Sequence, residues 1–205
     1  MHLDVLNKDQ QELLPLLSKF KKEFYMVGGT AIALHIGHRL SIDFDLFKTG
    51  NIRPKKIITT FKENREEIII TLNREGQLNL VCRNVKFTFF NYEFDIPHPV
   101  SVEKNITIPS LIDLAAMKAF AMGMRSKWKD YVDLFFIIKD HYGIREISAR
   151  AGELFETMFS EKLFRGQISY FQNIYFDEPV QFMPGFGVND QEVKDFLTDA
   201  ALRDF

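Results

Sequence analysis

A glycine pair, Gly28 and Gly29, precedes two aspartates one residue apart, Asp43 and Asp45, in the run YMVGGTAIALHIGHRLSIDFDLF. Alternate side chains of a strand share a face. The two carboxylates would then point the same way, roughly 7 Å apart at the backbone, while Ile42, Phe44 and Leu46 turn to a core. Carboxylates aimed at one spot repel each other unless a cation lies between them, and oxygen-only donors suit Mg2+ or Mn2+. A strand that ends in two glycines and continues as a helix leaves backbone N–H groups at a helix N-terminus, a seat for phosphate, to which Thr30 adds a hydroxyl. A tight strand-to-helix turn would need the same glycines for backbone freedom alone. The order and short spacing of turn and aspartates favour a grip on a metal-bound phosphate. Arg39, just ahead of the aspartate strand, is a further phosphate-binding candidate, whereas His35 and His38 read as turn or helix-surface residues.

A second stretch, SLIDLAAMKAFAMGMRSKWKDYVDLFFII, places Leu111, Leu114, Lys118, Met122 and Arg125 on one side of a helix that is apolar nearly all round. Lys118 is the only charge between Asp113 and Arg125. A buried ammonium is costly unless it meets an anion, so Lys118 either reaches a phosphate or snorkels to water. In the following helix Asp130 and Asp133 lie one turn apart. There, one carboxylate could orient Lys118, Arg125 or a second substrate, or Lys129 and Asp133 could form a local ion pair. Arg125, Lys127, Trp128 and Lys129 form a basic-aromatic cluster, which reads as an RNA-backbone or base-stacking contact or as a solvated helix junction.

The elements that must position these groups follow from periodicity. Residues 9–20 read as an amphipathic helix capped by Asn7, 24–27 as a strand, 30–36 as a helix stopped by Gly37, 41–47 as the aspartate strand and 54–61 as a helix opened by Pro54. Runs 67–72, 78–82 and 85–92 read as antiparallel strands with tight turns. Beyond Pro109 the pattern is helical: Ser110 caps a helix to about 124, 129–140 forms the next, and Asn189 caps the last. The expected fold is α+β, with residues 1–108 as a core and 109–205 as a helical region packed on it and closing the cleft.

Composition sets the remaining bounds. The 205 residues are 46% hydrophobic and 26% charged, with a net charge of −2, so any nucleic acid would be held by a local patch. One cysteine, Cys82, excludes an internal disulfide and a cysteine-based zinc cluster. With no basic lead, no apolar h-region and no membrane-length apolar run, the expectation is a cytoplasmic protein with no membrane partner.

GGTAIALHIGHRLSIDFDLF resembles the opening motif of the polymerase-β-like nucleotidyltransferases, and more narrowly the AbiEii/AbiGii-type toxins of type IV toxin–antitoxin systems. MKAFAMGMRSKWKDYVDLFFI is similar to that family's second signature, and YFDEPVQFMPGF to a later segment. The resemblance implies a minimal nucleotidyltransferase fold with a mixed, largely antiparallel sheet and flanking helices, followed by a helical bundle. It implies transfer of NMP from an NTP to an RNA (tRNA foremost) or a protein, with a divalent metal and a cognate antitoxin. Gly28, Gly29 and Thr30 would hold the β/γ-phosphates, with Arg39 and Arg125 as further nucleotide contacts. Asp43 and Asp45 would hold the metal. Lys118 would neutralise phosphate charge, Asp130 would be its counterpart, and Asp133 would be structural.

One position departs from the pattern. In VKFTFFNY, Thr88 stands where related sequences carry a third carboxylate, and Glu93 and Asp95 at the strand's end are the nearest acidic substitutes. This departure keeps open a nucleotide-binding module that acts through a partner protein. A small-molecule nucleotidyltransferase, such as those modifying aminoglycosides, is the other alternative.

Overall fold

The computed structural model describes residues 1–122, 127–172, 174 and 179–203. The chain divides into two compact units, Met1–Ser110 and Leu111–Phe205.

In the first unit, α1 (Lys8–Leu17) begins at Asn7, whose side chain accepts from the Gln10 N–H while Gln10 Oε1 accepts from the Asn7 N–H. This reciprocal cap satisfies two donors that the helix start would otherwise leave unpaired. β1 (Tyr25–Val27) runs directly into α2 (Gly28–Ile36), which ends at Gly37 in the left-handed conformation, φ 73°. β2 (Asp43–Lys48), α3 (Pro54–Glu63), β3 (Ile69–Arg74), β4 (Gln77–Cys82) and β5 (Val85–Asn91) follow. The strands form one sheet in the order β1-β2-β5-β4-β3, parallel only between β2 and β5. The expected mixed, largely antiparallel sheet is present.

Alternation gives this sheet two different faces. Phe44, Leu46, Leu78, Leu80, Cys82, Val85, Phe87 and Phe89 are all buried on one side. Phe61 of α3 packs edge-on to Phe87 at 5.1 Å, and Phe20 and Phe24 meet Phe89 at 5.1 and 5.3 Å. Each fully buried phenylalanine contributes roughly 1.5–3 kcal/mol, so the many rings of the sequence form the floor of the sheet. Cys82 is buried on the same side, its Sγ 3.5 Å from Glu66 Oε2. Burial, reinforced by Glu66, pushes its thiol up to about 12. The opposite face carries Asp43, Asp45, Gln77, Asn79 and Thr88, all half-buried, and Lys86, exposed.

A second hairpin, β6 (Val100–Val102) and β7 (Ile106–Ile108), lies against β1 through β7 and was not anticipated. Its turn places Glu103 and Lys104 at φ 47° and 61°. Two positive values normally announce themselves as Asn-Gly or Asp-Gly; a Glu-Lys pair carries no such signal.

The second unit contains α4 (Leu111–Met122), α5 (Trp128–Asp140), α6 (Ile144–Phe155), α7 (Glu161–Ile168) and α8 (Asp190–Leu202). Asn189 caps α8 by accepting from the Glu192 N–H, as its position predicts. The other end of α8 is closed by Arg165, buried in α7, which donates to the Ala201 and Arg203 carbonyls. Among the described residues no helix is long and apolar enough to cross a membrane.

Glu23 gathers Arg53 (2.8 Å), Lys48 (3.7 Å) and Lys56, tying the approach to β1 to the end of β2 and the start of α3. Hydrogen bonds from Arg53 and Lys56 lower its pKa from 4.5 to about 2. A carboxyl with a depressed folded pKa stabilises the fold above its unfolded value, and that contribution is lost as pH falls through the folded one. The side chain is 27% exposed, and solvent screening limits the effect to about 1 kcal/mol. Urea denaturation of Glu23→Gln is therefore expected to show about 1 kcal/mol less stability than the native chain at pH 7. The difference should shrink between pH 4.5 and about 2.

Candidate active site

The β1–α2–β2 segment brings the first set of groups together through backbone geometry. Val27 pairs with Asp45 across the antiparallel strands, so Gly28, one residue on, lies beside that aspartate. Gly28 has φ +77°, and a Cβ at this position would collide with the Asp45 carboxylate. A Cβ at Gly29 would collide with Nη2 of Arg39. Both glycines are thus required for close approach: one admits a carboxylate, the other a guanidinium. No side chain caps the start of α2, so N–H groups of its first turn lack the partner a capping residue supplies. A backbone dipole, a cation and an acid meet within two residues.

Arg39 is buried, with Nη1 donating to the Leu40 carbonyl at 3.0 Å. Thr30 is also buried, and its hydroxyl hydrogen-bonds Ser41 Oγ at 2.9 Å and the Asp43 carbonyl. Its hydroxyl therefore anchors α2 to the start of the aspartate strand, whereas the sequence reading sends it to phosphate. His35 Nε2 contacts the Pro109 carbonyl at 2.9 Å.

Asp43 and Asp45 share the open face of the sheet, as alternation requires, with Phe44 and Leu46 in the core between and beyond them. Two carboxylates with a glycine backbone against one of them make an oxygen-only donor set that fits Mg2+ or Mn2+. Among the described residues no cluster of three or more histidine, cysteine, aspartate or glutamate side chains could hold a metal. Thr88 stands directly opposite Asp45 in the β2–β5 register. Glu93 and Asp95 lie past the end of β5 and are exposed.

In the helical unit, Lys118 of α4 is buried and its ammonium meets both Asp130 (2.6 Å) and Asp133 (2.9 Å) of α5. Burial disfavours the ammonium, but the two carboxylates outweigh it and hold the lysine pKa above its ordinary value. The anion demanded by the apolar helix is thus supplied by the protein, and Asp133 pairs with Lys118. Trp128 is buried against Tyr131, ring centroids 5.9 Å apart, with Lys194 over its face, so it does not offer a stacking surface for a base. Arg125 and the start of YFDEPVQFMPGF lie outside the described residues.

The family model of the nucleotidyltransferase AbiEii toxin, type IV toxin–antitoxin system, matches residues 16–89, a span that includes the glycine turn, both aspartates and Thr88. Over 149 residues the chain is 34% identical to the uncharacterized protein aq_aa25 of Aquifex aeolicus (strain VF5), spanning 66% of this chain and 68% of that one. The fold is similar to that of JHP933 from Helicobacter pylori, with a TM-score of 0.59, 14% identity and coverage of 96% and 91% of the two chains. It is similar as well to MenT4, nucleotidyltransferase toxin Rv2826c from Mycobacterium tuberculosis H37Rv, with a TM-score of 0.61, 13% identity and coverage of 94% and 80%. The chain carrying this glycine turn and aspartate strand therefore belongs to the AbiEii nucleotidyltransferase toxin family, and it is an enzyme of that kind.

Proposed function

We propose that the enzyme transfers NMP from an NTP to an RNA acceptor, tRNA foremost, in a metal-dependent reaction, and that a cognate antitoxin restrains it. The contact between the Gly28 backbone and the Asp45 carboxylate carries this reading, because it joins a phosphate-binding turn to a metal-binding face. Gly28 and Gly29 present backbone N–H groups to the β/γ-phosphates, and Arg39 adds positive charge beside them. Asp43 and Asp45 hold the divalent cation. That cation would supply positive charge to offset the charge developing on the phosphates in the transfer. The acceptor hydroxyl oxygen bonds to the α-phosphorus, the bond from that phosphorus to the bridging oxygen breaks, pyrophosphate leaves, and the hydroxyl proton passes to solvent. Lys118 and Asp130 are assigned to the same reaction, with Arg125 as a further nucleotide contact.

Incubation with each α-labelled NTP, Mg2+ and total tRNA, followed by gel electrophoresis, tests the proposal. Asp43→Ala and Asp45→Ala are each expected to lower incorporation by at least about a hundredfold, with an unchanged circular dichroism spectrum. Persistent labelling in both variants would sink it.

Lys118 needs a test that separates chemistry from packing. Lys118→Met leaves two buried carboxylates without their ammonium and is expected to cost about 3–5 kcal/mol. Adding Asp130→Asn and Asp133→Asn removes the stranded charges, and most of the lost stability should return in urea melts. The triple variant is expected to fold and yet fail to label tRNA; a folded, active triple variant would reduce Lys118 and Asp130 to packing roles.

A further inference from the structure

The open face of the sheet carries a second set of groups beside the aspartates. Asp45 stands opposite Thr88 in the β2–β5 register, and Thr88 stands opposite Asn79 in the β4–β5 register. One row therefore runs Asp45–Thr88–Asn79 across three adjacent strands, and all three residues are half-buried. Directly opposed residues in an antiparallel pair hold their Cβ atoms roughly 4.5–5.5 Å apart, so Thr88 and Asn79 can contact one small group together.

Asn79 is oriented. Arg74 donates to Gln77 Oε1 through Nε (3.2 Å) and Nη2 (2.6 Å), and Gln77 Nε2 donates to Asn79 Oδ1 at 3.0 Å. A guanidinium has no acceptor. Gln77 must turn its oxygen to Arg74 and its amide nitrogen to Asn79, which in turn commits its own oxygen to Gln77. What Asn79 has left to offer is its N–H groups. Among the described residues neither Asn79 Nδ2 nor the Thr88 hydroxyl has a protein partner. The position beside Asp45 that could have carried an acid instead presents two neutral donors.

Their side of the site gives them a substrate. β1, with Gly28 and Gly29 at its end, flanks β2 on one side, and β5 flanks it on the other. Attacking and leaving oxygens in phosphoryl transfer lie roughly in line. With pyrophosphate departing on the glycine side, the acceptor enters from the β5 side. We infer that Thr88 and Asn79 form the acceptor subsite and donate hydrogen bonds to a phosphodiester oxygen next to the reacting hydroxyl, with Gln77 and Arg74 as positioning residues. The Asn79 N–H groups beside a hydroxyl that can also donate favour an anionic, oxygen-rich group. Neither side chain takes up a proton near neutral pH, so the subsite aligns the acceptor and does not act as its base. This inference rests on the transfer reading above.

The experiment is fluorescence-anisotropy binding of labelled total tRNA to the full chain with Mg2+ and a non-hydrolysable NTP, paired with calorimetric titration of the same nucleotide without tRNA. Thr88→Val and Asn79→Leu should each weaken tRNA binding about three- to tenfold and leave nucleotide affinity and the melting temperature unchanged. Thr88→Ser should retain native binding, and Gln77→Leu should weaken it less than Asn79→Leu. Unchanged tRNA affinity in Thr88→Val and Asn79→Leu overturns the inference, as does a loss that falls on the nucleotide instead. A native chain that binds no tRNA also overturns it. Failure of the transfer reading looks different: labelling then survives Asp43→Ala and Asp45→Ala.

Discussion

The carboxylate of Asp45 occupies the space that a β-carbon would need at position 28. The backbone is left-handed there, and a side chain at φ +77° would be strained even in open space. The register of β1 with β2, the start of α2 and the direction of the aspartate strand all meet at this contact. Thr30 fastens the other side of the same joint by bonding the Asp43 carbonyl. A buried hydroxyl that a first reading spends on substrate thus fixes the strand that carries the acids, and the acids need that rigidity because their mutual repulsion would otherwise spread them.

A second balance of charge lies in the helical unit. The buried Lys118 with Asp130 and Asp133 is a cluster whose desolvation cost is repaid only while all three members stay in place. Such clusters contribute little net stability compared with hydrocarbon of the same volume, so their presence calls for another reason. Holding α4 and α5 in one register is such a reason, since Lys118 meets both carboxylates in only one alignment of the two helices.

The strands and helices were legible wherever side chains alternated or recurred with a clear period. β2, β4 and β5 have apolar residues at every second position, and α1, α2 and α8 have their stop or start residues in place: Asn7, Gly37 and Asn189. The β6–β7 hairpin was not legible because its turn is built from Glu103 and Lys104, which adopt positive φ without the residues that normally signal it. At the site, the glycines and aspartates could be read because their spacing has one simple structural meaning. The partners of Lys118 could not, since hydropathy says that a buried ammonium needs an anion but not which one. Trp128 read as a stacking contact or as part of a solvated helix junction, and no sequence signal showed that Tyr131 and Lys194 would cover it. The polar residues Gln77 and Asn79 were equally silent, although their alternation with Leu78 and Leu80 places them on the aspartate face.

The sheet's floor has one chemically distinctive member. Cys82 is buried at the end of β4, and burial together with Glu66 pushes its thiol up to about 12, so at neutral pH it holds back the thiolate that alkylating reagents attack. As the chain's sole sulfhydryl, it gives the protein a built-in clock: the pace of its modification reports how often the central strands part, with no engineered label required.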